Sequence, residues 1–280
     1  MTANVRIITP NDADAATLSA SPAAASTLPV TNLQDQTRAR LWRSTSAAAQ
    51  AIYGTWAAAY SLSGFALVRH NLTPNAALRL RIYDGPNQTG TLLYDSGSVA
   101  IGTMIGWGEL VWGRDPWGGA NIFSGWAYAF TTLWFAANYA RSFQLDLTDT
   151  ANPDGYLQAA RLFLGQYFEP LKTFNYGISL SWEEASKQQR TDGGTLRTDG
   201  FDPFRRWAFS LANMSAGERA QIMEIARKIG VRDDSFLSCW PDVGGAMERD
   251  YAGHVKLVQA PKLVHPRFAR FDTDLVFEEA

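Results

Sequence analysis

The chain has one cysteine, Cys239, so no disulfide can form within it. Small folds stapled by bridges are excluded, and the structure must be held by its own core. Histidine is nearly as scarce: His70, His254 and His265 lie far apart, with no HExxH or paired-cysteine spacing, so the sequence proposes no zinc site. Its glycine-rich segments lack the Gly-Lys-Ser/Thr ending of a phosphate loop. Charged residues are 19% and nearly balanced, with a net charge of −2. That leaves neither the basic footprint of a nucleic-acid binder nor an acidic tail. No run of eighteen apolar residues occurs; the nearest, residues 126–140, is short and broken by Asn138, so no membrane span is expected. Residues 1–10 show no basic stretch followed by an apolar one, which reads as a chain without a signal peptide, made in a cytoplasm.

What is present is apolar material, 46% of 280 residues, enough for a real core and about two domains. All five lysines follow Glu169, whereas residues 1–168 balance ten arginines against ten acidic residues. With Glu169-Pro170 as a pattern break, this places a boundary near residues 168–172. Before it the signals are strand-like. Gly64 to Val68 is a short apolar run of buried-strand type. Residues 77–83 alternate Leu78, Leu80 and Ile82 against Arg79, Arg81 and Tyr83, then meet the Asp84-Gly85-Pro86 turn. Phe143, Leu145 and Leu147 alternate again, and residues 156–164 read as a closing strand. Such spacing predicts a β-sandwich over residues 29–168, with a Trp/Gly-rich insertion at 105–135. Residues 1–28, rich in Ala, Ser and Asp, read as an extended arm that orders on a partner.

Residues 169–280 predict an α+β domain with one main helix. Ser215-Ala216-Gly217-Glu218 is a capping box, Ile222, Ile225, Ala226 and Ile229 follow at helical spacing, and Gly230 sits at the C-terminal cap. Strands are expected at 204–211, 236–240, 254–258 and 266–277; the last alternates Phe271, Thr273, Leu275 and Phe277 against polar neighbours. The fold class is therefore mainly β.

Leu28-Pro29-Val30-Thr31-Asn32-Leu33, then Arg40-Leu41-Trp42-Arg43-Ser44, then Gly64 to Leu72 leading to Ile82-Tyr83-Asp84, resemble the opening of a bacteriophage tail protein family. In that family these segments begin a galactose-binding (discoidin-like) sandwich. Phe174-Asn175-Tyr176-Gly177, Trp182-Glu183-Glu184 and Arg205 to Phe209 are similar to the ring-forming domain of distal tail and minor tail proteins. The resemblance covers most of the chain. It implies a structural, non-enzymatic component of a tail tip or baseplate, without cofactor or metal, located in the virion and assembled in the host cytoplasm. It implies a homo-oligomeric trimer or hexamer ring and contacts with other tail and baseplate proteins. An alternative reading is a carbohydrate-binding module that contacts a host surface glycan during adsorption.

Residues 105–135 are richer in Trp and Gly than the loop this resemblance leads one to expect. Flat rings on a permissive chain suit an interface, a core or a glycan contact. The candidates are Trp107, Trp112, Arg114, Asp115, Trp117 and Trp126. Arg38, Arg40 and Arg43 form a second candidate cluster, suited to interface ion pairs. Glu183-Glu184 cannot flank one glycosidic bond, because neighbours on a strand point to opposite faces. Asp12 and Asp14 read as a solvated part of the arm, and Cys239 as a buried thiol.

Overall fold

The computed structural model describes residues 4–22, 27–101, 112, 122–123, 126 and 129–280. In chain order the first strands are β1 (Arg6–Ile8), β2 (Thr17–Ser21), β3 (Trp42–Arg43), β4 (Gln50–Val68), β5 (Ala77–Tyr83) and β6 (Leu92–Asp95). There follow β7 (Val99–Ala100), β8 (Phe130–Thr148), β9 (Gln158–Ala159), β10 (Arg161–Gly165) and β11 (Tyr167–Phe168). Next come β12 (Ser179–Glu183), β13 (Lys187–Arg190), β14 (Leu196–Asp199), β15 (Phe204–Met214) and helix α1 (Ala216–Lys228). The chain ends with β16 (Asp234–Ser238), α2 (Gly245–Asp250), β17 (Ala252–Leu257), β18 (Leu263–Arg267) and β19 (Arg270–Glu279). Two compact units result, Met1–Glu169 with Asp234–His254, and Pro170–Asp233 with Val255–Ala280. The fold is mainly β, with a sandwich in the first unit and an α+β second unit whose main helix is α1.

The sandwich is organised by two long strands. β4 and β8 pair from Gln50↔Leu147 to Val68↔Phe130, with irregularities between Thr55 and Tyr60 and between Leu62 and Gly64. Bulges bend a strand pair, so one ribbon serves two layers. Around residues 50–55 it is flanked by β2 and β5; around 64–68 β10 takes the β4 edge. The burial pattern follows. Residues 50–56 of β4 alternate, with one face in the core, whereas Leu62 to Val68 are buried throughout. Phe65 and Leu67 face the main core with Leu80, Phe143 and Leu145. Ala66 and Val68 face a second cluster with Ile8, Phe163 and Phe236. Two covered faces are why Gly64–Val68 reads as a continuous apolar run. Each large side chain so buried contributes roughly 1.5–3 kcal/mol. Gly54 lies opposite Phe143, and a Cβ there would sit 2.0 Å from the Phe143 ring.

Within this apolar unit lies a charge cluster. The Arg161 guanidinium, 1% exposed, donates to both oxygens of Asp234 at 2.7 and 2.8 Å and to both oxygens of Asp14 at 2.6 Å. His254 Nε2 lies 2.8 Å from Asp234 Oδ2. Burial alone would raise the Asp234 carboxyl, but the bonds from His254 and Arg161 more than reverse it, so it sits below its ordinary value.

Three expectations are corrected here. Residues 4–22 are not an extended arm. β1 lies between β11 and β16, β2 pairs with β4, and Ala13, Ala16 and Leu18 join the core. An alanine- and serine-rich segment looks solvated in sequence, yet small side chains are what a close-packed layer admits. Asp14, expected in solvent, holds Arg161. Next, the chain does not stay in the second unit after residue 169, because Asp234–His254 belongs to the first. Last, residues 266–277 are not one strand: β18 and β19 form a hairpin, with Ala269 at φ 54° in its turn.

In the second unit β15 pairs with β12 on one side and β19 on the other. Trp207, Phe209 and Leu211 alternate inward on β15, as do Phe271, Leu275 and Phe277 on β19. The capping box is formed: Ser215 Oγ accepts from the Glu218 amide at 3.3 Å, and Glu218 accepts from the Ser215 amide at 2.7 Å. Glu218 also accepts from the Leu171 amide at 2.8 Å, so the cap ties α1 to the start of the unit. Gly230, at φ 56°, ends the helix in the left-handed region.

Two outcomes are expected. Arg161→Met leaves Asp14 and Asp234 without their cation and should destabilise the first unit by about 3–5 kcal/mol, read from urea denaturation. The Asp234 contribution is present above 3.8 and is lost as pH falls below that value. His70 is fully buried, and burial lowers its imidazole from 6.5 to about 4. The folded state holds it neutral while the unfolded chain protonates it. Stability should therefore fall as pH drops from 6.5 to about 4, by about 3 kcal/mol in all. In His70→Gln that part of the slope should vanish.

Candidate functional site

The residues singled out from sequence lie only partly within the described part of the chain. Trp107, Arg114, Asp115 and Trp117 lie outside the described residues. Trp112 is 84% exposed. Trp126 is half-buried, with the Arg249 guanidinium 4.3 Å from its ring centre. The arginines have separate partners rather than one patch. Arg43 donates to Gln158 at 3.0 Å and stacks 4.0 Å over Tyr156, Arg40 pairs with Asp35 at 3.4 Å, and the Arg38 carbonyl accepts from Arg69 at 2.9 Å. Arg43 is thus used inside its own unit. Glu183, weighed above for hydrolysis, accepts from Arg206 at 3.1 Å, and Asp146 on β8 accepts from Arg81 at 2.5 Å.

The first unit carries a different feature, a cavity of about 300 Å³. One wall is the end of β7 with Ile101, a second is the start of β8, and the third is the segment from Asp242 into α2. Ile101, Ile122, Phe123 and Phe130 are buried in its apolar side. Phe123 meets Phe130 edge-on at 5.0 Å, and Phe130 meets Phe236 at 5.5 Å, which fixes the aromatic wall. Thr131, Thr132, Asp242, Glu248 and Arg249 supply the polar side. His70 shapes this side indirectly. Its Nδ1 accepts from the Leu72 amide, so Nε2 carries the proton and lies 2.9 Å from Thr131 Oγ1.

Each polar group is held by the fold. Arg6 on β1 donates to Asp242 at 2.9 Å and to Glu169 at 3.1 Å, with its guanidinium 5.3 and 5.0 Å from the Trp134 and Tyr167 ring centres. Glu248 accepts from the Gly244 amide at 2.9 Å and from Thr132 Oγ1 at 3.3 Å. Burial raises its carboxyl above 4.5 and the nearby Asp242 charge adds to that, against the two hydrogen bonds. Arg249 is committed to Asp250 at 2.8 Å, to the Ile122 carbonyl at 2.9 Å and to the Trp126 ring. The rim is therefore richer in acceptors than in donors. It suits a compact ligand with hydroxyl or ammonium donors on one side and an apolar face on the other.

Sequence reasoning missed Asp242, Glu248 and Arg249. The only local signal is Gly244-Gly245 ahead of a charged pair, and that does not reveal which strands close over it. No protein-family model matches the chain, and no curated protein matches it. Several solved structures are similar in part. One is a chitosan-binding module derived from a chitosanase/glucanase of Paenibacillus sp. IK-5, at TM-score 0.41 and 11% identity, over 56% of this chain and 99% of that one. A family 32 carbohydrate-binding module from C. perfringens, in complex with galactose, gives TM-score 0.36 and 15% identity, over 59% and 99%. The lectin domain of lectinolysin, complexed with Lewis B antigen, gives 0.38 and 12%, over 56% and 97%. At these scores nothing about the ligand passes to this chain. The tail-protein resemblance has no counterpart among the structures named here.

Gly244 adopts φ 70° and ψ −176°, a conformation essentially confined to glycine. Gly244→Ala should cost about 1–3 kcal/mol in thermal denaturation of the full chain.

Proposed function

We propose that this chain is a non-catalytic recognition component whose first unit holds a saccharide residue in the cavity between β7, β8 and α2. One observation supports this above others: fixed acceptors, Asp242 and Glu248, line the same cavity of about 300 Å³ as the aromatic side chains Phe123 and Phe130. Sugar hydroxyls are donors, and the C–H face of a pyranose is apolar, so the two sides of the ring find different partners. Asp242 is held by Arg6, and Glu248 by Gly244 and Thr132, so both act as positioned acceptors rather than as mobile acid and base.

A second reading is assembly into a tail tip or baseplate, as the tail-protein resemblance implies; glycan contact would then serve adsorption to a host. Its support is the surface of the second unit. Leu171 is 79% exposed, and Tyr176 and Phe268 are wholly exposed. Aromatic side chains are enriched at protein interfaces relative to the rest of the surface.

A glycan array followed by calorimetry on the hit tests the first reading. Asp242→Asn and Glu248→Gln should each weaken binding about tenfold, the effect of a lost charge-assisted hydrogen bond, while Arg43→Ala leaves it unchanged. Wild-type affinity should fall as pH drops through the raised Glu248 titration, and Glu248→Gln should lack that step. Binding that survives both acceptor substitutions would sink the proposal, as would a chain that binds no glycan.

A further inference from the structure

β13 and β14 form a two-stranded sheet of their own, in register from Lys187↔Asp199 to Arg190↔Leu196. Every residue of both strands is exposed. In the chain the ribbon lies between β12 and β15, whose own pairing ends at Glu183↔Phe204. Its four-residue strands each span roughly 13 Å at strand rise. An isolated hairpin with no buried face is marginal in water, and both of its edges present unpaired amides and carbonyls. The outer edge of β12 is likewise open among the described strands.

Charge decides what fits these edges. Lys187 faces Asp199 across the ribbon, and Asp192 lies in the turn. Arg190 and Arg197 have no carboxylate within 4 Å among the ion pairs of the described residues. At the end of β12, Glu183 pairs with Arg206 of β15, a cation it shares with Glu278 of β19, and Glu184 follows on the β12 side. Two copies joined antiparallel through β13 would set Lys187 against Arg190, and like charges placed opposite repel. A head-to-tail contact sets the arginines near the acidic edge instead.

We propose that the β13–β14 ribbon adds as extra strands to the open β12 edge of a second copy of this chain, giving a heterologous contact. Such a contact repeats from copy to copy and closes into a ring when its rotation permits. The inference rests on the assembly reading above and is independent of glycan binding.

The test uses the full chain in sedimentation velocity over a concentration series, with hydrogen exchange of residues 187–199. The wild type should assemble, and the ribbon amides should slow in the assembled fraction. Arg190→Glu with Arg197→Glu, on a ribbon exposed on both faces, should raise the dissociation constant at least about tenfold by losing one or two charge contacts, and leave glycan binding intact. Assembly that persists in the double variant, or with fast-exchanging ribbon amides, overturns the ribbon contact alone. A wild type that stays monomeric at every concentration overturns it together with the assembly reading.

Discussion

The first unit depends on one buried guanidinium. Arg161 reaches Asp14 from near the start of the chain and Asp234 from a segment more than seventy residues beyond itself, and Asp234 in turn meets His254. Burying any one of these charges alone would be prohibitive. Together they are stable only when all the segments arrive, which makes the cluster a condition on topology. It selects the arrangement in which β1, β10, β16 and residues 252–254 share one unit. It does so by penalising incomplete versions rather than by adding much net stability.

That arrangement builds the cavity. The segment that brings Asp234 and His254 also brings Asp242, Gly244 and Glu248, while β1 brings Arg6 to hold Asp242. The sandwich supplies Phe130, Thr131 and Thr132 from the first residues of β8. Strand ends and a tight glycine turn are where a backbone can present polar groups without breaking a sheet ladder. The proposed acceptors sit there, on supports locked by packing and hydrogen bonds, and this suits selective binding of a small polar ligand.

The second unit has a different economy of surface. Its core alternates along β15 and β19 beneath a capped helix, yet large apolar side chains and a bare ribbon remain in solvent. A monomer gains nothing from such edges, whereas an assembly closes them.

Much of this was legible in the chain itself. Period-two alternation at residues 77–83, 143–147 and 271–277 determined strands, because one wet and one dry face impose that period. Ser215 to Glu218 with Gly230 determined both ends of α1, because caps are local hydrogen-bond chemistry. The lack of bridges and of metal-ligand spacing followed from composition. Other features were decided only in three dimensions. Nothing near Asp14 indicates Arg161, and nothing near Asp242 indicates Arg6, because those bonds join residues 147 and 236 positions apart. Residues 4–22 look like a solvated arm until three neighbouring strands accept them, since alanine and serine carry little pattern of their own. The exposed ribbon has polar residues on both faces, so no periodicity announces it. The sequence specifies elements through local physics; the site arises where distant segments must share a core and satisfy one another's charges.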